Sequence, residues 1–505
     1  MILVVEKKNT FADKNVLVVG LARSGVGASN LLSAFGAKVT VADSKSRESL
    51  EGQIGKLAKP VRVITGDNPV DVFGSSDIIV VSPGVPLDIQ PLLYAKSRGI
   101  HIIGELELAY QVIASGIRGQ GSGDSDAKTA EFIGITGTNG KSTVTTLVDL
   151  MLKRSGRRTL LGGNIGNALS EEILKTVVSG RLSDGSDREN TSTMPFMNVL
   201  PEYIVAEISS FQLESIERFR PHIAAILNIT PDHLNRYKNM NDYIDAKARI
   251  FENQLSEDYL VLNADDTTVM KMAEVRLSAG NKKVPNTLFF SRKKEVKGVY
   301  CRDGVLYCNI PNLAFPSSKF PFISLEEIKI QGAHNLENAM SASLIALISG
   351  QSYGPVRDVL KTFSGLEHRL EFVREINGIQ FMNDSKATNI GAVEKSLEGL
   401  DHVILIMGGM DKGSDFAVLH DLVKRRVKRL IVIGEAQEII ERALRGSAEI
   451  LRAEDLRDAV ALSVREASAG DTVLLSPGCA SFDMFKDFEE RGRRFKEIVK
   501  EVHDH

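Results

Sequence analysis

Cysteine is scarce in this chain, a large charge excess of either sign is missing, and no apolar run is long. Each shortage excludes a class of protein. Only Cys301, Cys308 and Cys479 occur in 505 residues. In the segment CRDGVLYC, an Asp303-Gly304 turn would set Cys301 opposite Leu306 and leave Cys308 on a diagonal. Diagonal positions lie ~7–8 Å apart, a poor distance for a disulfide. A reducing, cytoplasmic compartment is the expectation. Lys and Arg total 62 against 65 Asp and Glu, a net charge of −3 with both signs interspersed. That balance excludes a strongly basic nucleic-acid binder and a solvating acidic tail. Apolar runs such as Val16–Val19, Ile78–Val81 and Val403–Met407 are strand-sized. A bilayer span needs ~20 residues, so membrane insertion is not expected. The opening MILVVEKKNT carries its charges after a short apolar patch, the reverse of a secretory signal.

What is present points to α/β architecture. The chain is 43% hydrophobic and holds 42 glycines. At about 150 residues per domain, its length suggests roughly three domains. NVLVVG, KVTVAD and SDIIVVSPG alternate with helical stretches up to Gly104, as in a doubly wound parallel sheet. EFIGIT, a Gly-rich turn and a helix from Lys141 to about Arg154 open a second domain, which continues through YIVAEIS, IAAILNIT and YLVLNAD. Between the last two lies a helix, NDYIDAKARIFENQ. A β-rich piece then precedes the helix NLENAMSASLIALIS. After a glycine turn near Gly365, a hairpin-like pair leads into HVILIMGG, RLIVIG and DTVLLSPG, with a final charged helix DMFKDFEERGRRFKEIVKEV. The expected domains are 1–104, 105–364 and 365–505, with polar surface insertions near 116–128 and 179–199.

GITGTNGKST follows a strand and opens a helix, the setting of a phosphate-binding loop. Backbone N–H groups at Thr138 to Lys141 would cradle phosphate oxygens, Lys141 would meet the β/γ-phosphates, and Ser142 would ligate Mg²⁺. The spacing departs from G-x-x-x-x-G-K-[ST] in having Ile135 at the first glycine position. In the first domain, GLARSGVG approaches a dinucleotide fingerprint but has Ala22 at its second glycine, with Asp43 ending the next strand. Alone it fits a nicotinamide, another nucleotide or a ligand-free turn. Glu207, His233 and Lys247 sit in AEISSFQLE, TPDHLNRY and YIDAKARIF. An unpaired buried carboxylate is costly, which favours a functional Glu207. Taken alone, His233 reads more readily as a cap or packed side chain and Lys247 as a solvated helix lysine.

GTNGKST, EISSFQLE, TPDHLNRY, YIDAKARIF, GAHNLENA, LEHRLE, NDSKATN, GGMDKG and SPGCASFDMF occur in that order. Together they resemble the Mur ligase family over nearly the whole chain, and SSFQLE and NDSKATN resemble its D-glutamate-adding branch. The resemblance implies a Rossmann-like N-terminal domain for the UDP substrate, a central P-loop ATPase domain, and a Rossmann-like C-terminal domain for the amino acid. It implies an ATP-dependent amide ligase that adds D-glutamate to UDP-N-acetylmuramoyl-L-alanine through an acyl phosphate, for peptidoglycan precursor synthesis. It also implies that ATP draws residues from two domains, with a hinge near Gly365. Sibling ligases using another amino acid remain alternatives. A nucleotide switch would need an N-K-x-D element, which no stretch after the loop supplies.

The same resemblance implies residue roles. Catalysis would fall to Lys141, Asn164, His233 and Lys247. ATP would be held by Gly137, Thr138, Asn139, Gly140, Lys141, Ser142, Thr143, Asn335, Asn338, Arg369 and Asp384. Two Mg²⁺ ions would use Ser142 and Glu207, then His233 and Lys247. A lysine ammonium has no acceptor for a cation; the resemblance implies a carbamylated Lys247. Arg23, Ser24, Asp43, Lys45, Ser209 and Gln212 would face the UDP substrate. Lys386, Thr388, Lys412, Ser481, Phe482 and Phe488 would bind D-glutamate. A monomer is expected.

Overall fold

The computed structural model describes residues 11–114, 130–182, 201–232, 236–278, 284–310, 319–330, 332–411 and 413–502. Five short apolar segments build the first sheet: β1 (Asn15–Val19), β2 (Lys38–Asp43), β3 (Arg62–Thr65), β4 (Ile78–Val81) and β5 (His101–Gly104). All run parallel, in the order β3-β2-β1-β4-β5. Every residue of β1 after Asn15 is buried, the mark of a strand covered on both faces. Its crossover helix, Arg23–Ala34, begins directly after the glycine turn, ahead of the apolar run SNLL.

The second sheet contains β6 (Glu131–Thr136), β7 (Thr159–Gly163), β8 (Tyr203–Glu207), β9 (Ile223–Ile226), β10 (Tyr259–Asn263), β11 (Asn286–Ser291), β12 (Gly298–Arg302), β13 (Val305–Asn309) and β14 (Phe320–Ser324). Its order is β14-β13-β12-β11-β10-β9-β6-β8-β7. It is parallel from β7 to β12 and turns antiparallel at β12, β13 and β14. Cys301 pairs with Leu306 across the Asp303-Gly304 turn, as the sequence suggests. The helix at Lys141 ends at Arg154, also as expected. The stretch expected as an insertion from 179 differs at its start, since 179–182 complete the helix Leu169–Leu182. The rest of that stretch, and 116–128, lie outside the described residues.

Two buried glutamates tie the first sheet to the second. The helix Glu105–Ala114 follows β5 without a break. Glu107 accepts the backbone N–H groups of Glu217 (2.9 Å), Arg218 (3.1 Å) and Phe219 (2.9 Å). Glu105 accepts from Ser170 N–H at 2.6 Å, and burial raises its carboxyl pKa. These two sheets belong to one compact unit.

A second unit holds the third sheet: β15 (Glu371–Ile376), β16 (Ile379–Asn383), β17 (Val403–Gly408), β18 (Val427–Ile433), β19 (Glu449–Arg452) and β20 (Thr472–Leu475). The order is β15-β16-β20-β17-β18-β19, parallel except for the β15–β16 hairpin. Along β17, Val403, Leu405 and Met407 enter one apolar cluster while Ile404 and Ile406 enter the other. Period-two alternation with both faces buried explains why this strand reads as a continuous apolar run. The final helix spans Phe488–Glu501 and starts later than the charged pattern suggests, because the Asp487 side chain caps it by accepting Glu490 N–H. Among the described residues, no helix is long and apolar enough to cross a membrane.

Candidate active site

The loop between β6 and the helix Lys141–Arg154 follows an interior strand of the second sheet, with β8 on one side and β9 on the other. Open α/β sheets bind ligands beyond the carboxyl ends of strands at such a crossover. Gly140 ends the loop at φ +83°, and a Cβ there would lie 2.3 Å from Asn338 Oδ1. Glycine is therefore favoured by the turn, and a larger residue would also have to displace the Asn338 amide. Ser142 and Thr143 are buried in the first helical turn, at the positive end of the helix dipole. Lys141 Nζ lies across the loop, donating to the carbonyls of Gly137 (2.9 Å) and Thr138 (2.8 Å).

Two of the loop donors expected to face phosphate point elsewhere. Thr138 N–H donates to Asn228 O at 3.0 Å, and Asn139 N–H to Asn228 Oδ1 at 2.8 Å. Asn228 Nδ2 returns a bond to Asn139 O at 3.1 Å. Asn228 follows β9 closely and its neighbour Leu227 is held by Asn263 Nδ2 at 3.0 Å. The sequence gives little sign of this clamp, because its partners are 89 positions apart.

Glu207 ends β8 and pairs in register with Ile135 of β6, so its carboxylate arises beside the loop. It is 2% exposed, and its Oε1 accepts from Asn164 Nδ2 at 2.8 Å. Asn164 N–H also donates to Glu207 O at 2.8 Å, bringing these two expected residues together. Lys247, on the helix Met240–Ala248, is equally buried. Its Nζ donates to Gly137 O at 2.9 Å and sits 4.6 Å from the Tyr243 ring centre. Tyr243 OH in turn lies 3.1 Å from Thr138 Oγ1. Ser209 and Gln212 form a reciprocal capping box on the helix Ser210–Leu213, a structural use of both side chains. Asn338 is buried and Asn335 half-buried on the helix Ala333–Ile348. His233 lies outside the described residues.

In the first sheet, Asp43 braces the turn after β1 by accepting Leu21 N–H (2.7 Å) and Lys45 N–H (2.9 Å). Arg23 donates to Gly166 O, while Ser24 is half-buried and Lys45 exposed.

The second unit gathers the residues expected for the amino acid and part of the nucleotide. Asp384 follows β16 and accepts from Ser396 Oγ (2.6 Å), Ser476 Oγ (2.8 Å) and Leu370 N–H (3.3 Å). Burial raises its pKa to about 6, opposed by those bonds and by the charge of Arg369. Lys386 Nζ lies 4.8 Å from the Phe488 ring centre. Thr388 is half-buried, Ser481 buried and Phe482 63% exposed. Lys412 lies outside the described residues. Asn389, unremarked in the sequence, caps the helix Ile390–Leu397.

Ser142, in the first turn of the helix after β6, and Glu207, at the end of the neighbouring β8, offer buried hydroxyl and carboxylate oxygens, a donor set suited to a hard dication. Lys247 as an ammonium does not fit as a ligand, since its nitrogen donates. Among the described residues, Glu367, His368 and Glu371 form a three-ligand grouping, but Lys496 already bridges its two carboxylates.

Comparison with known proteins gives consistent matches. The Mur ligase middle domain matches residues 135–346, the Mur ligase glutamate ligase domain 368–479, and the MurD-like N-terminal domain 14–104. A UDP-N-acetylmuramoylalanine--D-glutamate ligase of Geotalea daltonii is 43% identical over 493 residues, covering 96% of this chain and 97% of that protein. Its namesake from Clostridioides difficile is 40% identical over 495 residues, covering 97% and 99%. Among solved structures, MurF from Thermotoga maritima in complex with ADP has the same fold. It matches with TM-score 0.54 at 14% identity, covering 98% of this chain and 97% of that one.

Proposed function

The chain belongs to the Mur ligase family, and on that premise we propose that it joins D-glutamate to UDP-N-acetylmuramoyl-L-alanine at the expense of ATP. The observation that carries this reading is the near-full-length identity to ligases of that name. Two steps are required. The substrate carboxylate attacks the γ-phosphorus, forming an acyl phosphate and releasing ADP. The amine of D-glutamate then attacks the acyl carbon, loses a proton, and phosphate departs from the tetrahedral intermediate.

Both steps concentrate negative charge, so fixed cations and donors dominate the catalysis. Lys141 leaves its loop carbonyls to meet the transferring phosphoryl group, while Gly137 to Thr143 wrap the phosphates. Asn164 sits beside Glu207 and offers a donor near the acyl group. Ser142 and Glu207 would hold a Mg²⁺ ion, which would supply positive charge against the phosphates. Lys247 joins the site as a carbamate, formed when its neutral amine adds CO₂ and sheds a proton; His233 is its partner in this reading. Asn335 and Asn338 contact adenine, and Arg369 and Asp384 serve the phosphates and ribose. Arg23, Ser24, Asp43, Lys45, Ser209 and Gln212 serve the UDP substrate. Lys386, Thr388, Lys412, Ser481, Phe482 and Phe488 serve D-glutamate, whose two carboxylates suit paired lysines. The protein acts as a cytoplasmic monomer supplying peptidoglycan precursors.

The test is phosphate release from ATP with UDP-N-acetylmuramoyl-L-alanine and a panel of amino acids. D-glutamate is expected to drive turnover, whereas L-alanine, L-glutamate and meso-diaminopimelate are not. Turnover with any of those three but not with D-glutamate would sink the reading.

A further inference from the structure

The loops that follow β16 and β20 carry Lys386, Thr388 and Ser481, and one buried side chain binds both. Arg491, near the start of the helix Phe488–Glu501, has 0% exposure. Its Nε donates to Ser385 Oγ at 3.0 Å, and Nη2 to the carbonyls of Ser385 (2.8 Å) and Cys479 (3.2 Å). Nη1 donates to the carbonyls of Cys479 and Ala480, both at 3.3 Å. Ser385 Oγ passes a further bond to Phe488 O at 2.8 Å. One planar fork thus fixes the spacing of two loops and of the helix that presents Phe488.

Every one of those acceptors is neutral. Hydrogen bonds to carbonyls satisfy the donors without cancelling the charge; Asp483 and Asp384 attract it from farther off, and burying a cation remains costly. A hydrophobic residue would avoid that cost, so the retained charge calls for a use. Burial lowers the guanidinium pKa to about 10, which leaves it protonated at neutral pH. The result is a fixed positive charge directly behind Ser385 and Ala480, the neighbours of Lys386 and Ser481.

We propose that Arg491 is a positioning residue of the amino-acid site, holding its two loops in register and biasing it toward a dicarboxylate over a neutral amino acid. This rests on the reading of these loops as the D-glutamate site. The side chain does not reach solvent, so it acts through the loops and through its field.

The test compares wild type with Arg491→Lys, Arg491→Gln and Ser385→Ala, measuring KM for D-glutamate and for ATP, with thermal unfolding as a fold control. Arg491→Lys keeps the charge but loses the fork, and Arg491→Gln loses the charge. KM for D-glutamate is expected to rise about tenfold in Arg491→Lys and further in Arg491→Gln, with KM for ATP within about twofold. Ser385→Ala removes one acceptor and is expected to shift KM for D-glutamate the same way by less. It serves if the arginine variants fail to fold. Equal rises in both KM values, or no rise for D-glutamate, overturn the proposal. Failure of wild type to use D-glutamate overturns the underlying reading instead, and the same comparison run with the amino acid it does use then decides the role of Arg491.

Discussion

Lys141 and Lys247 donate to the same acceptor: each places its Nζ 2.9 Å from the carbonyl oxygen of Gly137. Two ammonium groups on one carbonyl are held close by the loop and repel each other. An anion entering the loop draws Lys141 away, and conversion of Lys247 to a carbamate reverses the sign of its charge. Either event relieves the crowding.

The two lysines are therefore expected to differ on replacement. Lys141→Ala should reduce kcat by about a thousandfold, in line with the loss of a charge directed at a transferring phosphoryl group. Lys247→Ala should be inactive, yet regain part of its activity when short carboxylates and bicarbonate are added. Steady-state phosphate release checks both, and full activity of Lys247→Ala without additives refutes the carbamate.

Asn228 sets the loop from the opposite side. Asn228→Ala removes two side-chain bonds to Asn139, and is expected to cost about 1–3 kcal/mol of stability. Asn228→Asp keeps the acceptor for Asn139 N–H but brings a negative charge to the loop. It should raise KM for ATP more than Asn228→Ala does while lowering the unfolding temperature less. Paired kinetic and melting measurements separate the two effects.

Asp384 makes the second unit pH-sensitive. Its carboxyl titrates at about 6 when folded, above the ordinary 3.8 of an aspartate in an unfolded chain, so the folded state binds the proton more tightly. Its contribution to stability is present in full below the unfolded pKa and is lost as pH rises through about 6. Asp384→Asn removes this dependence. Relative to wild type, the variant should gain up to about 3 kcal/mol between pH 4 and pH 6.5. Urea unfolding followed by circular dichroism suits a chain without tryptophan.

Glu107 links the first sheet to the second through three backbone N–H groups. Glu107→Ala strands those donors and is expected to cost about 3 kcal/mol, whereas a surface substitution such as Glu51→Ala should cost under about 0.5 kcal/mol. Thermal unfolding of the two variants side by side checks this.

Local pattern made much of the scaffold legible. The helix at Lys141 follows from a glycine turn and a sustained apolar stripe, and β17 from an unbroken apolar run. The register of Cys301 with Leu306 follows from turn length alone. What escaped was tertiary. Arg491 reads as one more charge in a polar helix, because Ser385 lies 106 positions away. That helix starts at Phe488, later than the charged pattern suggests, because the Asp487 cap outweighs the pattern before it. Asp384 stands in a recognisable motif, but its serine partners come from Ser396 and from Ser476 after β20. Periodicity reports which face is buried and says nothing of which distant side chain completes a network.

Gly140 also bears on how inhibitors of this enzyme would age. Any side chain there takes up a strained left-handed backbone and must displace the amide of Asn338, so replacement carries a cost. A compound that rests on this stretch of main chain would press against a spot where any substitution that confers resistance also strains the loop.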